Sequence, residues 1–119
     1  MANKILVVDD SLMVRKQVGT ALASAGFAIV EACDGADALA KLASNGDVSL
    51  VVCDVNMPRM NGIEFLERAP QGLAVMMLTT EGQPELIQQA RALGAKGWIL
   101  KPFKADILIA AARKLSGAA

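Results

Sequence analysis

Asp9 and Asp10, Asp54, Thr79 and Lys101 each stand where an apolar run ends. The runs are Ile5-Leu6-Val7-Val8, Leu50-Val51-Val52-Cys53, Val75-Met76-Met77-Leu78 and Trp98-Ile99-Leu100. Three carboxylates, a hydroxyl and an ammonium drawn from four segments suit divalent-metal-assisted phosphoryl transfer. Carboxylates crowded together repel by about 4 kcal/mol per pair at 4 Å and moderate dielectric, so such a group persists where a cation binds. Mg2+ favours a few carboxylates together with waters and phosphate oxygens. One carboxylate can then act as the nucleophile of aspartyl-phosphate chemistry. Taken singly, an acidic residue after a strand is more often a turn former or helix cap; the joint occurrence with Lys101-Pro102 sets these apart.

These side chains meet only if the runs lie parallel in one sheet, whose carboxyl edge is where doubly wound folds build sites. Apolar runs alternate with helix-period segments five times, which predicts βα units. Ser11 is placed to cap a first helix with Val14, Val18 and Leu22 inward, ended by Gly26. Phe27-Ala28-Ile29-Val30 reads as the second strand. Asp34 and Asp37 compete to cap a second helix with Leu39, Ala40 and Ala43 inward, closed by Gly46. Asn61 caps a short third helix carrying Ile63 and Leu66, stopped by Pro70-Gln71-Gly72. Pro84 fits the first turn of a fourth helix with Ile87, Ala90 and Leu93 inward, followed by Gly94. The fifth helix runs from about Lys104 to Leu115, and Ser116-Gly117-Ala118-Ala119 is expected to fray.

Chemistry also orders the strands. A metal held by Asp10 and Asp54 needs strands one and three side by side, since neighbours lie ~5 Å apart. The second strand runs out in Glu31-Ala32 with nothing catalytic and belongs at the edge. Right-handed crossovers then give the order 2-1-3-4-5, with the site at the reversal between strands one and three. The expected fold is α/β: a flavodoxin-like, doubly wound, five-stranded parallel sheet with five helices.

Bulk properties exclude several classes. The chain of 119 residues fits one domain spanning 1–119, and 54% hydrophobic residues suffice to cover both sheet faces. Twelve basic and twelve acidic residues cancel, so nothing in the bulk charge points to nucleic acid or an anionic membrane surface. The absence of histidine excludes a His nucleophile or ligand. Cys33 and Cys53 lack metal-site spacing and read as buried free thiols, consistent with a reducing compartment. The apolar stretch after Met1-Ala2-Asn3-Lys4 is too short for a signal peptide, and a cytoplasmic location is expected.

The segments Val7-Val8-Asp9-Asp10-Ser11, Cys53-Asp54-Val55-Asn56-Met57-Pro58-Arg59-Met60-Asn61-Gly62, Leu78-Thr79-Thr80-Glu81 and Leu100-Lys101-Pro102-Phe103 resemble, in order and over the whole chain, the receiver domain of two-component response regulators, the stand-alone chemotaxis type above all. The resemblance implies that Asp54 accepts a phosphoryl group from a histidine kinase or phosphotransfer protein. It implies that Asp9, Asp10, Asp54 and the backbone carbonyl of Asn56 hold Mg2+. Lys101 would neutralise phosphoryl oxygens, Thr79 would hydrogen-bond the phosphoryl group, and Lys101-Pro102 would be cis. Asn56 and Glu81 occupy positions that tune phosphoryl lifetime in similar receivers. Trp98 occupies the aromatic switch position, where tyrosine or phenylalanine is more usual; an indole is larger and its N–H needs a partner when buried. The third helix and its exit loop are shorter than the family norm. Output would be protein–protein contact through the fourth helix, fifth strand and fifth helix, without catalysis beyond the protein's own phosphorylation and dephosphorylation. The fifth helix is apolar nearly all round, and Ile109 is the main sign of an exposed apolar face.

Two rivals remain. One is a receiver-fold interaction module that signals without phosphorylation. The other is a small phosphohydrolase similar to the haloacid dehalogenase group, which puts nucleophile and second acid on strand one as Asp-x-Asp. Here Asp9 and Asp10 are adjacent and the third aspartate follows strand three.

Overall fold

The computed structural model describes residues 3–117; Met1 and Ala2, and the Ala118-Ala119 part of the expected frayed end, lie outside the described residues. The elements in chain order are β1 (Lys4–Val8), α1 (Leu12–Ser24), β2 (Ala28–Ala32), α2 (Gly35–Ser44), β3 (Val48–Cys53), α3 (Gly62–Arg68), β4 (Val75–Thr79), α4 (Pro84–Ala92), β5 (Gly97–Leu100) and α5 (Ala105–Ser116). All strand pairs are parallel, in the order β2-β1-β3-β4-β5. This is the expected doubly wound sheet.

The central strands are apolar at successive positions because both of their faces are covered. Leu6, Val8, Val51, Cys53, Val75 and Met77 face a core with Ala38, Ile63, Phe65, Leu66 and Ala90 from α2, α3 and α4. Ile5, Val7, Leu50, Val52, Met76 and Leu78 face the opposite core with Val18, Leu22, Leu108 and Ala112 from α1 and α5. Period-2 alternation therefore sends neighbours in one run to different helical layers.

Caps explain where several helices begin. Ser11 Oγ accepts from the Val14 N–H, and Asn61 with Glu64 forms a reciprocal capping box on α3. Of the two candidate caps on α2, Asp34 takes the position, accepting from the Asp37 N–H at 2.8 Å. Asp37 instead lies in the first turn and accepts from the Cys33 N–H. α2 ends at Ser44 with Asn45 rather than Gly46 as its C-cap. β2 begins one residue later than Phe27 and continues through Glu31 and Ala32, whose backbone completes the pairing with β1. At the far end Ser116 is helical and Gly117 caps α5 in a left-handed conformation, so the described part of that terminus does not fray.

Other corrections concern which faces are buried. On α2, Ala38, Leu39 and Leu42 face the core while Ala40 and Ala43 face solvent. On α4, Ala90 is buried and Leu86 packs against the core; Ile87, expected inward, is half-buried beside Trp98 and outside both core clusters, and Leu93 is exposed. On α5, Ile109 packs against the sheet and Ile107, 53% exposed, is the solvent-facing isoleucine. Both cysteines are free, but only Cys53 is buried; Cys33 is half-buried. Burial pushes the Cys53 thiol far above its usual pKa, with the Asp54 and Asp9 carboxylates adding to the shift, so it stays protonated.

Gly62 opens α3 beneath the aspartate that follows β3. A Cβ there would lie 2.2 Å from the Asp54 carbonyl oxygen and 2.9 Å from Val55 Cα, both backbone atoms. Gly62→Ala is therefore expected to cost about 3 kcal/mol or more, since overpacking against backbone finds no flexible side chain to yield. Urea unfolding checks this, and a wild-type midpoint would show that the turn accommodates a methyl group.

Candidate functional site

The sheet places the site through backbone bonds at its carboxyl edge. Val8 is in register with Cys53, and Cys53 with Met77. One residue on, the Asp9 N–H donates to the Ala32 carbonyl and the Asp54 N–H to the Val8 carbonyl. On the other side the Lys101 N–H donates to the Thr79 carbonyl at 2.8 Å. Asp9 and Asp54 therefore stand level on adjacent strands, Thr79 ends β4 one residue further along, and Lys101 follows β5 one residue beyond Thr79.

Their side chains converge. Lys101 Nζ lies 2.7 Å from Asp9 Oδ2 and 2.9 Å from Asp54 Oδ2, bridging the two carboxylates. Asp9 and Asp54 are buried, whereas Asp10 is exposed at the rim. Carboxylate oxygens of Asp9, Asp10 and Asp54 nevertheless lie within 4.8 Å of one another. Burial raises the Asp9 pKa, and the hydrogen bond from Lys101 offsets only part of that cost. Burial alone would lower the Lys101 pKa, but its bonds to Asp9 and Asp54 outweigh this and raise it, so the ammonium stays charged. Three hard oxygen donors open to solvent on one side suit a divalent cation that keeps some of its waters.

The surrounding loops are tied to this centre. Asp9 Oδ1 accepts from the Ser11 N–H, so the residue that caps α1 also orients the carboxylate. Asp54 Oδ1 accepts from the Asn56 N–H at 3.3 Å. Thr79 is fully buried and its hydroxyl oxygen accepts from the Glu81 N–H. Across the mouth, Asn56 Nδ2 donates to Glu81 Oε1 at 2.9 Å, directly joining the two residues expected to tune phosphoryl lifetime. Trp98 Nε1 donates to the Glu81 carbonyl at 2.8 Å. Glu81 is thus tied to Thr79, Asn56 and Trp98 through three different atoms. The Lys101–Pro102 peptide is cis.

Two supports were not singled out by sequence reasoning. Arg15 Nη1 donates to the Asp9 carbonyl at 2.7 Å while its Nε bonds Glu31 on β2, bracing the turn that holds Asp9. Arg59 pairs with the buried Asp34 at the start of α2. Arg15 stands beside Lys16 on α1 and Arg59 between Pro58 and Met60, and neither carries a spacing signal in the sequence.

Grooves flank the carboxylates. One of about 520 Å³ is lined by Asn56, Asn61, Glu64, Glu81 and Gln83 among others. Another of about 580 Å³ runs past Val14, Thr80, Lys101, Pro102 and Phe103. A cleft of about 590 Å³ among Leu66, Pro70, Leu73, Leu93 and Lys96 lies at the amino ends of β4 and β5, away from the acidic cluster. The chemistry resides in the converging side chains rather than in that cleft.

Comparison with known proteins agrees with this geometry. The family described as the response regulator receiver domain matches residues 5–113. The chemotaxis protein CheY of Treponema pallidum is 40% identical over 105 residues, covering 84% of this chain and 73% of that protein. CheY of Bacillus subtilis is 37% identical over 118 residues, covering 96% and 98% respectively. Among solved structures, Vibrio cholerae CheY4 is similar with a TM-score of 0.90 and 37% identity, covering 97% of this chain and 99% of that one. The CheX–CheY–BeF3–Mg complex of Borrelia burgdorferi matches with a TM-score of 0.89 and 29% identity, covering 94% of this chain and 87% of that one.

Proposed function

The chain belongs to the response regulator receiver domain family, and from that premise we propose that it is a phosphorylation-dependent receiver that takes a phosphoryl group on Asp54 from a histidine kinase or phosphotransfer protein. The observation that carries this reading is the Lys101 ammonium bridging Asp9 and Asp54 beside the Asp10 carboxylate. That arrangement joins a nucleophile, a fixed cation and a set of cation ligands in one crevice.

In the transfer, an Asp54 carboxylate oxygen attacks phosphorus, the new O–P bond forms, and the P–N bond to the donor imidazole breaks. Mg2+ would be held by Asp9, Asp10, Asp54 and the Asn56 backbone carbonyl, and when bound it neutralises charge on the phosphoryl oxygens. Lys101 supplies a preorganised positive charge to the same oxygens, effective because it is fixed before transfer begins. The Thr79 hydroxyl accepts from the Glu81 N–H, which leaves its own proton free to donate to a phosphoryl oxygen. Water attack on phosphorus later returns the Asp54 carboxylate and inorganic phosphate, and Asn56 with Glu81 screens that approach.

Signalling would follow as a shift between conformations. Any movement of Thr79 toward a phosphoryl group loosens its bond to the Glu81 N–H, and Glu81 is tied in turn to Trp98. The output surface is assigned to α4, β5 and α5, where Leu93, Leu100 and Ile107 are exposed. Among the described residues no helix is long and apolar enough to cross a membrane; the location proposed is the cytoplasm, with neither nucleic acid nor membrane as partner.

Intact mass after acetyl phosphate, with and without Mg2+, tests the reading. One phosphoryl gain that requires Mg2+ supports it. No gain from acetyl phosphate or from a histidine-kinase donor, in a folded and Mg2+-bound protein, overturns it in favour of a phosphorylation-independent module. Trp98, the single tryptophan in a chain without tyrosine, provides a second test. Its emission is expected to change saturably on binding of Mg2+ or a phosphoryl analogue, because its N–H is bonded to the loop after Thr79. A flat titration would separate Trp98 from the site.

A further inference from the structure

Segment 55–61, between β3 and α3, carries Asn56 and has no regular structure of its own. It is closed at its base by the Gly62 N–H donating to the Val55 carbonyl at 2.9 Å. At its far side the chain reverses around Arg59, with the Met60 N–H donating to the Pro58 carbonyl at 2.8 Å. Arg59 has a φ of 65°, the one non-glycine residue with positive φ among the described residues. A three-residue turn with a positive central φ is the rare, strained form. Such a conformation persists where the surroundings over-determine it.

What over-determines it is the amino end of α2. Asp34 Oδ1 accepts the capping N–H of Asp37, while Oδ2 accepts from Arg59 Nε at 2.7 Å and also from Nη2. Beside this pair the Gly35 N–H donates to the Met60 carbonyl at 3.0 Å. A Cβ on Gly35 would lie 2.7 Å from Met60 Cγ and 2.8 Å from its carbonyl oxygen, so the approach requires glycine. The Asp34 side chain is 2% exposed and that of Arg59 69%. The carboxylate is therefore an interior anchor, and the guanidinium reaches down to it from solvent.

Glycine at position 59 would make the same turn without strain, and asparagine would tolerate it better than arginine. The turn alone therefore gives no reason for arginine there; the bond to Asp34 does. We propose that the Asp34–Arg59 pair is a positioning device for the candidate site, holding segment 55–61 against α2 and thereby setting the Asn56 backbone carbonyl for Mg2+. The inference rests on the receiver reading above. Through this pair α2, which supplies none of the converging side chains, acts on the site.

Arg59→Gly is the informative variant, because it deletes the pair while relaxing the turn. It is expected to melt near the wild-type temperature without Mg2+, and to bind Mg2+ roughly tenfold more weakly, the lower end of what loss of outer support costs a metal site. Isothermal titration and the Mg2+-dependent rise in melting temperature read this without any phosphoryl transfer. In labelling with acetyl phosphate, half-saturation by Mg2+ should move while the rate at saturating Mg2+ stays at wild type. Arg59→Lys should restore part of the affinity. Asp34→Asn, which keeps a capping oxygen but loses the charge, should reproduce the loss. Wild-type Mg2+ affinity in Arg59→Gly overturns the proposal, as does a slower rate at saturating Mg2+ with affinity unchanged. A wild type that binds Mg2+ but takes no phosphoryl group would sink the receiver reading instead, and the Mg2+ titration would still decide the role of the pair.

Discussion

Asp54→Asn is expected to take up no phosphoryl group from acetyl phosphate at any Mg2+ concentration, while wild type takes up one. The replacement is close to isosteric, and its amide oxygen can still accept from the Asn56 N–H as Asp54 Oδ1 does. What it removes is the nucleophilic carboxylate and one of three negative charges within 4.8 Å of one another. Like charges at about 4 Å repel by about 4 kcal/mol at moderate dielectric, though Lys101 already relieves much of this. The variant should therefore unfold at a midpoint equal to or above that of wild type, and bind Mg2+ more weakly. Intact mass reads the first effect, and circular dichroism melts with and without Mg2+ read the second. Labelling that survives would move the acceptor to another residue. Asp10, at the rim of the same cluster, is then the first to test.

How much of this was legible in sequence depended on how much information each residue type carries. Strands were legible because a buried parallel strand is apolar at every position, and the residue that ends each run is the residue at the edge of the sheet. Asp9, Asp54, Thr79 and Lys101 are legible in that way, and backbone register brings them to the carboxyl edge within two residues of one level. Helix facing was harder. α2 and α5 contain so many alanines that several stripes are equally apolar, and alanine at the surface costs little. The pattern therefore points Ala40 and Ala43 inward and Ile109 outward, whereas Ala40, Ala43 and Ile107 are the exposed residues. Leu93 failed for a different reason: it follows the last residue of α4, where the helical period no longer directs the side chain. The Asp34–Arg59 pair was beyond reach because its partners lie on separate loops, and a lone arginine after Pro58 reads as a solvated charge. Trp98 lies between these cases. Its need for a hydrogen-bond partner was foreseeable from its chemistry, but the Glu81 carbonyl that meets it was not.

Lys101→Ala is expected to slow labelling of Asp54 roughly a hundredfold, the usual consequence of deleting one preorganised charge from a transition state, and yet to leave Mg2+ affinity level or higher. The two effects part because the ammonium lies against oxygens of Asp9 and Asp54, two of the residues that would bind the metal. A fixed cation there repels an incoming one, and its removal lifts that repulsion. The same deletion strips Asp9 of the partner that offsets its burial, so the metal-free variant should be less stable than wild type. Mg2+ should then raise its melting temperature at least as much as it raises that of wild type, since stabilisation by binding to the folded state grows with the logarithm of affinity. This distinguishes two roles for the lysine. If Lys101 served only as a counter-ion that keeps the carboxylates together, saturating Mg2+ would replace it and restore the rate. If it stabilises charge on the phosphoryl oxygens during transfer, the rate stays low however much Mg2+ is supplied. A variant that labels at the wild-type rate once Mg2+ saturates would remove Lys101 from the transfer step.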